Sequence, residues 1–376
     1  MGTRDSQLSL AQTRQTIEQL QEVFPGLRFI MVTMSSPGDR DKVTDLRLTP
    51  GDFFTRDLDE AVCSGQLDAA LHSAKDLPDP LPAGLDLVYL PWAEDPRDVL
   101  ILPFGRDSIP PLPRIGISSG RREEYCRKRW SGAIMKPIRG NIEQRIAQLD
   151  RGDYDLLIMA AAGLNRLGLV SRISEYIPLI ELVTPPGQGK LALTFRPGDR
   201  RFQLIRSLWA KPVIFAGAGI GSLANTTRGT MAALREADIC FYDALCPPGL
   251  LDLLPPNAEK IAVGKRCGKH ALPQEEISER LVDAARRLLS VVRLKGGDPG
   301  IFGRLTEETE SLDRYALPYR VLPGVSSLTA ATSTTGLLLT RRGVSRGFSV
   351  STPRERGSAT IKPLSSHEQH ELPQVM

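Results

Sequence analysis

A lysine and an aspartate stand side by side in His72-Ser-Ala-Lys75-Asp76-Leu-Pro78, directly after the apolar segment Leu67–Leu71. A carboxylate and an ammonium group at the carboxyl end of a strand lie where α/β sheets bind ligands. Arginines follow at intervals: Ser118-Ser119-Gly-Arg121-Arg122, then Arg139-Gly-Asn141 with Arg145, then Arg166. Arginine keeps its charge and grips carboxylates with a rigid fork of donors, so the set suits a substrate bearing many carboxylates. Taken singly, each arginine reads as a solvated surface charge. Spacing alone reaches no further than an anion-binding α/β module.

A second cluster, Gly217-Ala-Gly219-Ile-Gly221, follows the apolar run Val213–Ala216. Glycines there let the backbone approach a ligand, but the spacing is not the dinucleotide fingerprint, and NAD is not expected. Cysteines stand at 63, 126, 240, 246 and 267, an odd number without a C-x-x-C, and histidines only at 72, 270, 367 and 370. Neither a disulfide framework nor a metal site is expected; the thiols read as structural.

These groups need elements to hold them. A chain of 376 residues accommodates two or three domains. Hydrophobic content of 41% and charged content of 24% are ordinary for a globular protein. The balance 48 − 44 gives +4 without a Lys/Arg run, so no nucleic-acid tail is expected. No apolar stretch approaches the ~18 residues of a membrane span. The opening MGTRDSQ has no apolar signal region. A soluble cytoplasmic protein is the simplest reading.

An amphipathic helix is predicted over 7–24, with Leu10, Ile17, Leu20 and Phe24 on one stripe, then a strand Phe29–Met34. Further strands are expected at Leu87–Leu90, Val99–Leu102, Arg114–Ile117 and Leu156–Met159, alternating with helical segments as in α/β domains. The charged, proline-bounded stretch around 196–211 reads as a linker, after which a new α/β pattern begins at Val213. From Ser351 the aperiodic composition reads as a disordered tail, 351–376.

The wording of the motifs says more. GTRDSQLSLAQ (2–12), FFTRDLDEAV (53–62), LHSAKDLP (71–78), EDPRDVLI (94–101), GISSGRR (116–122), RGNIEQR (139–145), YDLLIMAAAGLNRLGL (154–169) and PPGQGKLAL (185–193) occur in order over residues 1–195. The set resembles hydroxymethylbilane synthase, or porphobilinogen deaminase. The resemblance implies two periplasmic-binding-protein-like domains with a site in the cleft between them. It assigns catalysis of porphobilinogen condensation to Asp76, which would assist loss of ammonia and stabilise the cationic azafulvene. It assigns substrate binding to Arg4, Ser6, Lys75, Ser119, Arg121, Arg122, Arg139, Arg145 and Arg166. The family carries a dipyrromethane primer on a cysteine within a Gly-Gly-Cys segment of a third domain. This sequence has no such segment, and Ile117 and Gly120 replace the usual Thr and Leu. The strand that normally precedes G-T-R is expected to be either absent or misassigned.

Beyond residue 212, ADICFYDALC (237–246), AVGKRCGKH (262–270), PQEEI (273–277), VVRLKGGDPGIFGR (291–304), LPGVSSLTAA (322–331) and GLLLTRRG (336–343) resemble uroporphyrinogen-III C-methyltransferase. The resemblance covers 212–350 and implies a methylase α/β domain whose second half is mostly absent. It implies methyl transfer from S-adenosylmethionine to uroporphyrinogen III, with Asp243 as base and Lys265 as proton donor. Gly219, Ile220, Gly296, Gly297, Asp298, Ile301, Ser326 and Ser327 match cofactor contacts, and the family implies a homodimer. Departures include Ile220 and Ser222 for Pro and Asp, Gly300 for Phe, Leu305-Thr306 for Gly-Gly, and Arg341 for His. With its cleft half built, the region is expected to hold the cofactor weakly.

Together these imply a fusion of two transferase activities acting on porphobilinogen and uroporphyrinogen III, with no nucleic acid, membrane or metal. The alternative is a truncated tetrapyrrole-binding protein without turnover. A plain ligand-binding module is a third reading.

Overall fold

The structure, a computed structural model, describes residues 1–41, 44–45, 47, 51–264, 272–336, 339–340, 342–344, 347–348 and 350. The expected tail, 351–376, lies outside the described residues, as does Lys265. The first unit comprises β1 (Gly2–Arg4), α1 (Gln7–Val23), β2 (Val32–Met34), α2 (Pro37–Arg40), α3 (Arg56–Cys63), β3 (Ala69–Ser73) and β4 (Asp86–Ala93). The chain then builds a second unit from β5 (Asp98–Ile101), β6 (Arg114–Ile117), α4 (Gly120–Arg129), β7 (Ile134–Pro137), α5 (Ile142–Asp150), β8 (Leu156–Ala160), α6 (Ala161–Arg166) and β9 (Glu175–Tyr176). It returns to the first through β10 (Lys190–Phe195) and α7 (Arg200–Ser207).

The first sheet runs β2-β1-β3-β10-β4, with the return strand β10 antiparallel between β3 and β4. The second runs β7-β6-β8-β5-β9, with β5 antiparallel to its neighbours. Residues 94–97 and 177–189 are therefore the two crossings between units, and the cleft lies beside them. Gly2–Arg4 is itself a strand, pairing with Val32–Met34 and Ala70, and the Met1 ammonium donates to Ile30 O at 2.8 Å. The strand expected over 29–34 shortens to Val32–Met34, an edge strand whose register follows the three residues of β1.

The expected linker is also structured. Phe202 and Ile205 of α7 join the core around Leu193, Phe195 and Val88. Arg206, fully buried, donates to Asp86 Oδ1 at 2.7 Å. The apolar i, i+3 spacing that marks this helix is masked in the sequence by the arginines around it.

The third unit is β11 (Val213–Gly217), α8 (Arg228–Arg235), β12 (Ile239–Tyr242), β13 (Glu259–Ala262), α9 (Gln274–Arg286), β14 (Val291–Lys295), α10 (Leu305–Arg314), β15 (Tyr319–Leu322) and α11 (Ser327–Thr335). Its sheet is all parallel, order β13-β12-β14-β11-β15. Helices cover both faces, burying Phe215, Phe241 and Leu281 on one and Leu234, Leu250 and Leu294 on the other. Such burial explains the continuous apolar runs of β11 and β14. No helix among the described residues is long and apolar enough to cross a membrane. No metal-ligand cluster occurs among them either.

Candidate active site

Strand β3 ends in a single 3-10 turn, Ala74–Asp76, which turns Asp76 into a crevice lined by Arg4, Ser9, Gln12, Phe54, Thr55, His72 and Ser73. The crevice holds about 10 Å³, room for a water-sized group. Beneath it His72, Thr194 and Asp59 form a buried polar contact: Thr194 donates to Asp59 Oδ1 at 2.9 Å, and His72 Nε2 lies 3.0 Å from Thr194 Oγ1. This network fastens β3 to β10 and α3 directly under the turn. Arg4 does not point an empty guanidinium at the cleft. Its Nε donates to Asp39 Oδ2 at 2.9 Å, and its guanidinium lies 4.5 Å over the Phe54 ring. Burial opposes the Arg4 charge, but Asp39 outweighs burial and raises its pKa.

Across the cleft, Asp98 at the start of β5 is a fully buried hub. Arg122 donates to it at 2.7 Å, Arg121 ion-pairs with its other oxygen, and Gln188 Nε2 donates at 3.1 Å. Burial disfavours the carboxylate, yet the charges of Arg122 and Arg121 hold it below the usual range. Gln188 in turn accepts from Lys75 Nζ at 3.4 Å. The lysine opens on the cleft, but the surrounding protein desolvates it and, with Arg122 and Arg145, pushes its pKa down.

Among the described residues, Arg145 has no carboxylate within ion-pair distance. It donates to Gly140 O at 2.8 Å and Ser118 Oγ at 3.0 Å. Burial, then Arg122 and Arg139, lowers its pKa to about 10. Among the described residues, Arg139 and Arg166 donate to main-chain carbonyls, and burial lowers both. The Nε groups of Arg122, Arg139 and Arg166 are buried without a hydrogen bond. Among the described residues, none of Arg139, Arg145 and Arg166 has a carboxylate within ion-pair distance. A site that concentrates uncompensated guanidinium groups is built for an anion.

In the third unit a cavity of about 380 Å³ is lined by Asp243, Leu245, Gln274, Arg293, Lys295, Gly296, Ile301 and Phe302, among others. Its floor is a charge network. Glu308, wholly buried, takes Lys295 Nζ at 2.7 Å and Arg293 Nε at 3.1 Å, and Arg293 also pairs with Asp243 at 2.7 Å. Three glycine loops meet beside it. Gly219 and Gly297 exchange backbone hydrogen bonds at 3.2 and 3.0 Å, and a Cβ on Gly324 would lie 2.0 Å from Gly297 O.

The family model described as "Porphobilinogen deaminase, dipyromethane cofactor binding domain" matches residues 1–204. This is more than half of the chain. It belongs to the porphobilinogen deaminase family. A second family model, "Tetrapyrrole (Corrin/Porphyrin) Methylases", matches residues 212–372, so a methylase region follows the deaminase region in one chain.

The chain is 42% identical over 205 residues to a porphobilinogen deaminase of Deinococcus radiodurans, covering 53% of this chain and 66% of that protein. It is 38% identical over 203 residues to that of Thermus thermophilus, covering 53% and 65%. This deaminase-family chain thus spans about two thirds of these relatives. Among solved structures, the uroporphyrin-III-C-methyltransferase from Thermus thermophilus aligns at 40% identity over 36% of this chain and 57% of that one, TM-score 0.32. A complex of that methyltransferase with S-adenyl homocysteine aligns at 41% identity, TM-score 0.30, with the same coverage.

Within the deaminase-family region, the structure gathers Asp76, Lys75, Arg122 and Arg145 within range of one another's charge. Ser119 heads α4 at the N-cap position, where its side chain makes no capping hydrogen bond. Ser6 instead caps α1, accepting from the Ser9 N–H at 3.2 Å. Asp98 and Gln188 were not singled out, although both stand inside quoted motifs, EDPRDVLI and PPGQGKLAL. In the methylase region the cavity brings together Asp243, Gly296 and Ile301. Asp298 accepts from the backbone N–H groups of Gly300 (2.8 Å) and Gly324 (2.9 Å), which locks the glycine loops. Ser326 caps α11, Ser327 is exposed, and Gly219, Ile220 and Gly297 stand outside the cavity wall. Lys295 was missed; its position in VVRLKGGD was the available signal.

Proposed function

We propose that this chain works in cytoplasmic tetrapyrrole biosynthesis, binding porphobilinogen and its oligomers in the cleft at Asp76 and S-adenosylmethionine in the third unit. The observation that carries this reading is the crevice at Asp76, with Lys75 beside it and Arg122 and Arg145 within charge range of that lysine. Porphobilinogen carries two carboxylates and loses an amine as ammonia. Asp76 accepts a hydrogen bond from the pyrrole N–H and faces the positive charge that develops as the amine departs. Lys75, desolvated and hydrogen-bonded to Gln188, holds a proton at Nζ beside it, and the arginines orient the acid arms.

A dipyrromethane, which bears carboxylates, fits the cationic character of this site, where it would supply the chain end that porphobilinogen extends. Of the four described cysteines, Cys126 is buried in the second unit and Cys240 and Cys246 in the third, while Cys63 is exposed on α3. None of these four lines the crevice, and the proposed primer is held there by the cationic groups.

In the third unit, Gly296 lines the cavity without a side chain, which suits the adenosylmethionine that would supply the methyl group. Asp243, held by Arg293, is placed to accept a proton from the tetrapyrrole, uroporphyrinogen III. The proposed division is residues 1–195 for the deaminase region and 212–350 for the methylase region, in a homodimer, without nucleic acid.

Porphobilinogen consumption and intact mass test the reading. The wild type is expected to consume porphobilinogen without a covalent adduct, and Asp76→Asn to stop consumption. Unchanged consumption by Asp76→Asn overturns the role of Asp76, and a mass that grows in pyrrole-sized steps overturns the non-covalent primer.

A further inference from the structure

The turn that carries Asp76 has a back as well as a front. Ala74 is buried, and with Leu87, Tyr89 and Ala192 it forms a small apolar cluster against which Leu77, Leu81 and Leu288 pack. Leu288 comes from the methylase region, two residues past the end of α9. It sits at φ 57°, the left-handed region, where a leucine Cβ is unfavourable and glycine is not. A leucine kept in that conformation points to a used side chain.

The residues just before it grip the first unit. Arg286 ion-pairs with the fully buried Asp86 at 2.8 Å, the same oxygen that takes Arg206 of α7 at 2.7 Å. The Arg286 guanidinium lies 4.1 Å over the ring of Tyr315, whose carbonyl accepts from Arg206. Arg287 reaches Asp79, three residues after Asp76, at 3.3 Å and is held by Asp283 at 2.7 Å. One carboxylate shared by buried arginines from both regions is an interface that separates only by stranding charge.

We propose that the Arg286-Arg287-Leu288 turn of the methylase region is a positioning element of the deaminase cleft, holding the Ala74–Asp76 turn from behind. The two regions then form one functional body, in which loosening α9 misplaces Asp76. The inference rests on the reading of Asp76 given above.

Hydrogen exchange of the full chain, read by mass spectrometry on peptides covering 74–81, tests the contact without relying on that reading. Leu288→Gly removes the side chain and relaxes the backbone. It is expected to speed exchange in 74–81 about tenfold, to leave 142–150 unchanged, and to raise the Kd for porphobilinogen at least about fivefold. Leu288→Met should restore both. A folded Leu288→Gly protein with unchanged exchange in 74–81 overturns the proposal. If that variant does not fold, Arg287→Gln decides, because it removes the ion pairs to Asp79 and Asp283 and leaves Leu288 in place. Exchange about twofold faster supports the buttress, and unchanged exchange overturns it. Failure of the wild type to bind porphobilinogen would sink the reading of the cleft while the exchange result still stands.

Discussion

Gln188 and Asp98, ninety positions apart, meet at 3.1 Å where the chain crosses between its first two units. Gln188 also donates to Pro96 O at 2.6 Å and accepts from Lys75, so one amide ties the first crossing, the second crossing and the lysine beside Asp76. Replacing it with Leu leaves Lys75 and Asp98 each short of a partner. The expected cost is about 1–2 kcal/mol in stability. Porphobilinogen binding measured by calorimetry is expected to weaken about five- to tenfold, roughly the loss of one hydrogen bond. Unchanged affinity would show that the amide only staples the crossings.

Asp98→Asn tests the hub itself. With the carboxylate removed, Arg122 is left buried and underpaired, an expected loss of about 3–5 kcal/mol at pH 7 by urea denaturation. The pH dependence gives the sign. Because Arg122 and Arg121 depress the folded pKa of Asp98, its stabilisation is complete above the ordinary carboxylate value of about 4 and fades as pH falls below it. The wild type should therefore lose urea resistance below about pH 4 more steeply than Asp98→Asn. Parallel curves would mean that other carboxylates govern the acid limb.

Much of this was legible from sequence where the determinants are local. The helix expected over 7–24 is Gln7–Val23, and Arg114–Ile117 and Leu156–Ala160 are strands as their apolar runs indicate. Asp76 stands at the end of a strand, as the polar turn after Leu67–Leu71 implied. What escaped is what only tertiary contact decides. Asp98 looks like one acid among several in EDPRDVLI until the fold closes Arg121 and Arg122 around it. Arg206 looks like linker charge until Asp86 meets it in the core, 120 positions back. Likewise Leu288 carries no local mark of the cluster it completes.

Arg145 predicts the alkaline limit of binding. In the proposed reading its charge holds the substrate acid groups, and burial with two neighbouring arginines lowers its pKa to about 10. Affinity for porphobilinogen should hold below that value and fall as pH rises through it, with Lys75, lowered for the same reasons, adding to the fall. Arg145→Leu should weaken binding more than about tenfold at pH 7, the value of one charged hydrogen-bonded contact, and flatten the alkaline limb. A limb that persists in the variant assigns it to another group.

Glu308 makes the last case, in the methylase region. Its carboxylate sits wholly buried between Lys295 and Arg293, with Gln274 donating at 3.1 Å. Burial and the adjacent Arg293 push Lys295 down, and Glu308 is what keeps the ammonium tenable. Glu308→Gln keeps the shape but removes the counter-charge, so it is expected to cost about 3–5 kcal/mol. Lys295→Met together with Glu308→Gln removes one of the two cations and should recover part of that loss, since the cation that remains, Arg293, is still paired by Asp243. Double-mutant analysis of thermal unfolding measures the coupling. Additive losses would show that Lys295 finds its counter-charge elsewhere, and that the cavity floor is not the single electrostatic unit its distances describe.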